Sequence, residues 1–400
     1  MIGNISLAGG TNSPFKLNIN GSPGPDASGL TLEGGDSLYL FISVYIPAGT
    51  DPQAFILRDS IQVHYNNLDR YIQLSAWGQN AHFLKNETIQ SAVVWNNDMP
   101  YVISGGLHVD SNAVLTINAG CRIYLHADAA VLIDGTLIAN GGAADSTRVY
   151  FTGDRLDEPY ASFPGSWPGL YFTAASQNNH LQYTVVQNAY QSVASVGPST
   201  NASPKLVLDQ CIINNSSDAG ILAVQSSVDA NNCLISNCGK NIEIVGGGTY
   251  HFTNCTAASY SNALLQHQSP VLSVSDEGTV DGQLISGDLL AAFTNCILWG
   301  DANIDDEAQV SHQATGAFYL LFDHLILKQK NYPGNTDSVA VLLNADPLFS
   351  QIDNTKRLYD FHLQAGSPAI GFGTDPGLTI DLDGNARPVG KQDLGCYERQ

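Results

Sequence analysis

Charge is what this 400-residue chain has least of. Asp, Glu, Lys and Arg make up 13% of it, about half the share usual in soluble domains. Positive charge is scarcer still: 16 Lys and Arg stand against 37 Asp and Glu, a net charge of −21. Binding to nucleic acid or to an anionic membrane rests on Lys and Arg neutralising phosphate, so neither partner is expected. The same balance counts against a bare groove for polyuronate. Long apolar runs are missing too. No stretch approaches the roughly 18 apolar residues of a membrane-spanning helix, and no transmembrane segment is expected. Met1-Ile2-Gly3-Asn4 opens with neither a basic region nor an apolar run, so it shows no export signal. The seven cysteines are an odd number, which leaves at least one thiol unpaired within one molecule. Cys233 and Cys238 are close enough in sequence to begin a metal pair, but no second Cys/His pair stands at a zinc-site spacing.

What the chain does have is a repeat. Cys211, Cys233 and Cys255 lie 22 residues apart, in the phrases Leu-Asp-Gln-Cys (208–211), Ala-Asn-Asn-Cys (230–233) and Phe-Thr-Asn-Cys (252–255). A fourth copy, Phe-Thr-Asn-Cys (293–296), comes 41 residues after Cys255, a step that reads as two turns. A fixed period of 20–50 residues marks units that bury their apolar faces only against their neighbours. Apolar residues flank the cysteines and Asn-rich bends separate them, which predicts short strands in a right-handed parallel β-helix. The cysteines are expected to point inward as small buried hydrophobes and free thiols. The period also shows earlier in the chain, where Val109 precedes Val131 and Leu115 precedes Leu137 by 22 residues.

Residues 1–94 lack this echo. Leu38–Ile46 is a long β-rich run, and Ile61–Tyr65 and Ile72–Trp77 alternate with period two, as half-buried strands do. Gly34-Gly35-Asp36, Pro47–Pro52 and Asn66-Asn67 supply turns between them. The expected organisation is a small antiparallel β-sandwich over 1–94, the β-helix over 95–345 and a closing segment over 346–400. A solenoid end needs a cover for its core and strand edge, and the sandwich is a candidate for that role.

Several passages resemble a family. Gly106–Val109, Leu115–Cys121, Gly135-Thr136-Leu137 and Trp167-Pro168-Gly169-Leu170 resemble the opening coils of right-handed β-helix proteins on Bacteroidota cell surfaces. Gly35–Tyr39 with Arg58–Ile61 resembles the sandwich that precedes such helices. Asp346–Phe349, Tyr359–Leu363, Gly366–Ile370, Asp381–Pro388 and Asp393–Glu398 resemble the closing segment of secreted pectate-lyase-like β-helix proteins. The resemblance implies an extracellular or outer-membrane-surface location, often as a lipoprotein, with an export signal ahead of the chain. It implies no catalytic residue, because fold does not fix activity.

For lyase chemistry on such a scaffold the candidate bases are Lys205, Lys240, His180, His251 and His267, whose spacings give no common face. For a glycosidase, Asp209 and Asp229 are candidates on neighbouring coils. Asp381 and Asp383 begin an oxygen-rich loop that suggests calcium, but Gln392 stands where an EF-hand has its closing Glu. The longest interruption, 153–168, is too long for a bend and carries Tyr160, Phe163 and Trp167 beside Asp154, Arg155, Asp157 and Glu158. Aromatic faces stack on sugar rings and the charged groups bond hydroxyls, so Tyr160, Phe163, Trp167, Asp154 and Arg155 form the candidate ligand site. The expected function is non-catalytic binding of a polysaccharide or a cell-surface protein. The alternatives are a polysaccharide-degrading lyase or glycoside hydrolase, and a structural stalk.

Overall fold

The computed structural model describes residues 2–46, 55–280 and 282–400, so the turn expected over 47–52 lies outside the described residues. The chain divides into two compact units, Met1–Ala81 and His82–Gln400.

The first unit is an antiparallel β-sandwich. One sheet orders its strands Asp26–Leu30, Ile2–Leu7, Phe55–Tyr65, Leu68–Gly78, and the other Ser22–Pro23, Phe15–Ile19, Leu40–Val44. The long hairpin turns on Asn66 and Asn67, both with positive φ, as a tight hairpin requires and Asn tolerates. Ile5, Leu7, Phe15, Leu17, Ile19 and Ile61 form its core. Alternation along Ile2–Leu7 and Phe15–Ile19 sends every second side chain inward.

The second unit is a parallel β-helix, its strands joined in a ladder of 24. Each coil contributes three walls. The coil from 206 shows them: Leu206–Asp209 on the first wall, Ile212–Asn214 on the second, and the start of Ala219–Asn231 on the third. The corner between the first and second walls is a single left-handed residue. Gln210, Asn232, Asn254 and Asn295 hold it on successive coils with φ of 50° to 53°, and Asn accepts this region more readily than other side chains. The cysteine follows directly. Cys211, Cys233, Cys255 and Cys296 are all buried free thiols, and each donates to a carbonyl of the coil before it, at Leu181, Leu208, Ala230 and Phe252. Inside the first wall, Phe252 stacks on Phe293 at 4.8 Å and Phe293 meets Phe322 edge-on. Each buried side chain of this kind contributes about 1.5–3 kcal/mol.

The structure corrects the register in three places. Cys296 lies one coil after Cys255, not two: Thr256 pairs with Ile297 and Thr253 with Thr294. The extra length is an irregular stretch over 260–271 and the hairpin Glu277–Val280/Gln283–Ser286. Val109 stands beside Ile133, while Leu107 takes Val131, because this coil is longer at its bends; Leu115 does pair with Leu137. The ladder also takes in residues assigned from sequence to the sandwich. His82–Ile89 and Ala92–Trp95 pair in parallel with Tyr101–Val109 and Val114–Asn118. A register shift between Ser104 and Leu107 changes the offset to His82–Ile89 from 19 (101 − 82) to 20 (107 − 87) residues. Gly105 and Gly106, both with positive φ, make that bulge.

Residues 346–400 run along the outside of the second wall as a strap. Phe349, Phe361, Leu363, Ala369, Leu382, Leu394 and Tyr397 cover the outward Leu234, Ala258, Ile297 and Ile326. Polar bonds tie it to coil after coil. Arg148 donates to Leu382 O, Arg387 to Asn232 Oδ1, Asn254 to Asp393 O and Asn295 to Thr374 O. The Arg387 charge, inside this layer, is answered by Glu398 at 2.9 Å. Among the described residues no helix is long and apolar enough to cross a membrane.

Candidate functional site

At the corner between the second and third walls, successive coils place Asn188, Asn215 and Asn237 in left-handed conformation with φ of 63°, 59° and 51°. This asparagine row floors a groove of about 240 Å³, together with Gln187, Asn214 and Asn262. One side is Ala161 and Ser162, from the long insertion that follows strand Val149–Gly153. The other is Lys356, Arg357 and Tyr359, from the strap. The two sides meet. Arg357 Nη2 donates to Ser162 Oγ at 2.8 Å and Nη1 to Ser162 O at 3.4 Å.

The row also fixes the insertion from below. Asn188 Nδ2 donates to Ala161 O and Asn215 Nδ2 to Ser162 O, both at 3.0 Å, and Asn215 bonds Asn188 Oδ1 at 2.8 Å. Such binding surfaces gain affinity by being ordered before the ligand arrives. Deeper in the groove, the Tyr359 hydroxyl is buried beside Asn262 without a hydrogen-bond partner in the structure. Burial pushes its pKa up, with Asn262 acting the other way, so the phenol stays protonated and can donate. Amides offer paired donors and acceptors, and a guanidinium offers a fork of donors. The groove can therefore recognise hydroxyl and carbonyl groups in fixed directions.

The sequence-derived ligand residues divide. Trp167 is buried to 1% in the β-helix core, and its Nε1 donates to Gln187 O at 2.9 Å, so it has no face for a ligand. Tyr160 is exposed, with Phe163 edge-on at 5.3 Å and the Arg155 guanidinium 4.1 Å above its ring. Arg155 also grips Asp157 through two bonds of 2.7 and 2.8 Å. Asp154 pairs with His126 Nδ1 at 2.8 Å. Tyr160 and Phe163 thus flank Ala161 and Ser162, next to the groove but outside its lining. Arg357, Tyr359 and the asparagine row were not singled out from sequence. The row's only signal was Asn at 188, 215 and 237, on coils of unequal length.

Asp381 and Asp383 make a knitted turn. Asp381 is buried, and its carboxylate accepts from the backbone N–H of Asp383, Asn385 and Glu398. Asp383 pairs with His362 Nε2 at 2.8 Å. Among the described residues, no group of three or more His, Cys, Asp or Glu is placed to hold a metal ion.

The candidate bases are also placed. Lys205 is buried, Lys240 pairs with Glu243 at 2.6 Å, and His267 is buried against Glu307 at 2.9 Å. His180 and His251 do share a face, contrary to their spacing. His180 pairs in register with Val207, Val207 with Asp229, and Asp229 with His251, on coils of different length. Asp209 and Asp229 sit on adjacent coils of the same outward face, each bonded to a histidine at 2.8 Å: His180 for Asp209, His251 for Asp229. Burial pushes the Asp209 pKa up, but the bonds from His180 and Asn231 outweigh it and hold the carboxyl below its usual range.

Compared with known protein families, curated proteins and solved structures, the chain matches none.

Proposed function

We propose that the chain is a non-catalytic binding protein of the extracellular space or outer-membrane surface, and that it takes a glycan in the asparagine-floored groove. One observation carries this reading. A polar groove at a solenoid corner joins an ordered insertion to the strap, and its lining mixes amides, a guanidinium and a buried phenol donor. Binding residues favour loops held by a rigid scaffold, and this insertion is tied to both floor and strap. The exposed Tyr160 beside the groove extends the surface over which a sugar chain can lie. The β-helix with its N-terminal sandwich suits a secreted pectate-lyase-like protein of Bacteroidota, and the strap phrases that resemble such proteins support that origin. A protein partner on the same surface is an outcome that the test separates.

The test is a polysaccharide array followed by calorimetry on the best binder, with Arg357→Ala as the variant. The removed bonds involve a charged donor, so affinity is expected to fall by about tenfold or more, with the far-UV spectrum unchanged. Unchanged affinity in Arg357→Ala would remove the groove as the site. New reducing ends or unsaturated products on the same panel would replace binding by cleavage as the function.

A further inference from the structure

A second cleft lies at another corner, between the third and first walls. It measures about 430 Å³, and Ser227, Asp229, Thr249 and His251 line its coil side. Its other side is the loop that leaves strand Val193–Val196 and returns at Leu206, with Asn201 and Ser203 among its lining residues.

This loop is built, not loose. Ser199 Oγ donates to Ser203 O at 2.6 Å and lies 3.2 Å from Gln177 Oε1, which accepts from Thr200 N at 3.1 Å, and Asn201 Nδ2 reaches Asn178 Oδ1 at 3.0 Å. At its base the fully buried Lys205 ammonium donates to Thr173 O at 2.7 Å, Ala174 O at 3.3 Å and also Val196 O. No carboxylate answers that charge among the described residues, and burial lowers the lysine pKa to about 8. Three carbonyls satisfy the ammonium's three donors, so one residue pins both ends of the loop. Desolvating a cation is costly, and here it fixes the shape of a cleft.

The coil side has the opposite character: its groups are satisfied on one side only. His251 Nδ1 meets Asp229 Oδ1 at 2.8 Å, which leaves the His251 Nε2 and Asp229 Oδ2 without partners among the described residues. The bond raises the His251 pKa, with burial working against it, and the ring's Nε2 is left open to a ligand. Ser227 Oγ accepts from Lys205 N at 3.1 Å, so its own proton is free to donate. Gln225, also in the lining, gives its Nε2 to Ser286 O at 3.1 Å and keeps its carbonyl oxygen. The Ser227 hydroxyl, the Gln225 carbonyl oxygen, the Asp229 carboxylate and the His251 ring nitrogen thus open on one cleft. Among the described residues no Phe, Tyr or Trp lines the cleft.

We propose that this cleft is a separate binding site for a neutral, hydroxyl-rich ligand, a saccharide unit whose adjacent hydroxyls bridge Asp229 Oδ2 and His251 Nε2. Such a mix of donors and acceptors matches vicinal hydroxyls, each of which both gives and takes a bond. The Asp229 carboxylate disfavours anionic ligands, and no second carboxylate lines the cleft among the described residues to draw a cation. The site shares no lining residue with the asparagine-floored groove.

The test labels the histidines of the full chain with ¹³C and follows their ring signals by NMR. The probes are the neutral disaccharides maltose, cellobiose, lactose and sucrose. At least one is expected to shift the His251 ring signals saturably. Asp229→Asn should weaken that response by about tenfold or more, since the lost bond was to a charged acceptor. Arg357→Ala, which disables the groove, should leave it unchanged. The proposal is overturned if none of the four sugars moves His251, or if Asp229→Asn responds as strongly as the parent chain. Loss of the response in Arg357→Ala would overturn the independence of the two sites.

Discussion

At the scale of single residues, the chain holds its unusual groups by burying them or by pairing them. All seven thiols are buried, and burial pushes the Cys121 and Cys238 pKa up to about 11. A thiol-exchange reagent must also reach the sulfur, so the native protein, with every thiol buried, should give no colour and the denatured protein should give seven equivalents. A fast-reacting thiol in the native state would break the inward register. The histidines follow the second strategy: all ten of them stand within hydrogen-bond distance of a carboxylate. His362 shows what this does. The bond to Asp383 is the main cause that lifts its pKa to about 9, Asp360 adds to it, and burial works against both. An unfolded histidine titrates near 6.5, so between about 6.5 and 9 the folded chain keeps a proton that the unfolded chain has released. The pair's stabilisation is complete below about 6.5 and is lost as pH rises through about 9. His362 is 44% exposed, and solvent screening leaves a modest effect. Denaturation midpoints should fall over that window in the parent chain and fall less in Asp383→Asn. A parallel fall in both would detach the effect from this pair.

At the scale of strands and bends, the corners decide the register and the walls follow. Gly169 opens strand Leu170–Phe172 with φ of 137°, and a Cβ there would lie 1.7 Å from Gln191 O on the next coil. Neither backbone can yield without breaking its ladder, so Gly169→Ala is expected to cost about 4 kcal/mol or more. A thermal shift of only a few degrees would show that the coils can part. The same corners explain what could be read in advance. The cysteine step was legible because three consecutive coils share one length and put the same thiol after the same left-handed residue. Cys296 was misplaced by a turn because its coil carries a hairpin, and a count of residues cannot tell an insertion from a second coil. Trp167 looked like a ligand contact because it lies in a long polar insertion. Its burial depends on the bond to Gln187 and the bridge to Ala189, which local composition does not encode. The loop was found but its contact with the strap was not, since Arg357 reaches Ser162 from a turn 195 positions on.

At the scale of the whole molecule, the strap changes how the solenoid holds together. A stack of coils is stable through nearest neighbours, whereas the strap bonds coils from Arg148 to Asn295 at once. Deleting 346–400 should leave the parallel ladder but expose Leu234, Ala258, Ile297 and Ile326 as an apolar strip, and such strips drive association. The shortened chain is expected to bind a hydrophobic dye and to sediment as aggregates. A monomer with the parent's melting point would show that the strap is dispensable.

The groove's second side has a consequence for time as well as space. A ribosome delivers the coils in order, and each can stack on the one before it as it emerges. Arg357 and Tyr359 come after every coil, so the asparagine row waits, folded and one-sided, until they arrive. If the groove binds as proposed, a nascent chain cannot capture a ligand there while it is still being made. Order of synthesis sets an order of assembly: the scaffold forms first and the groove is completed last.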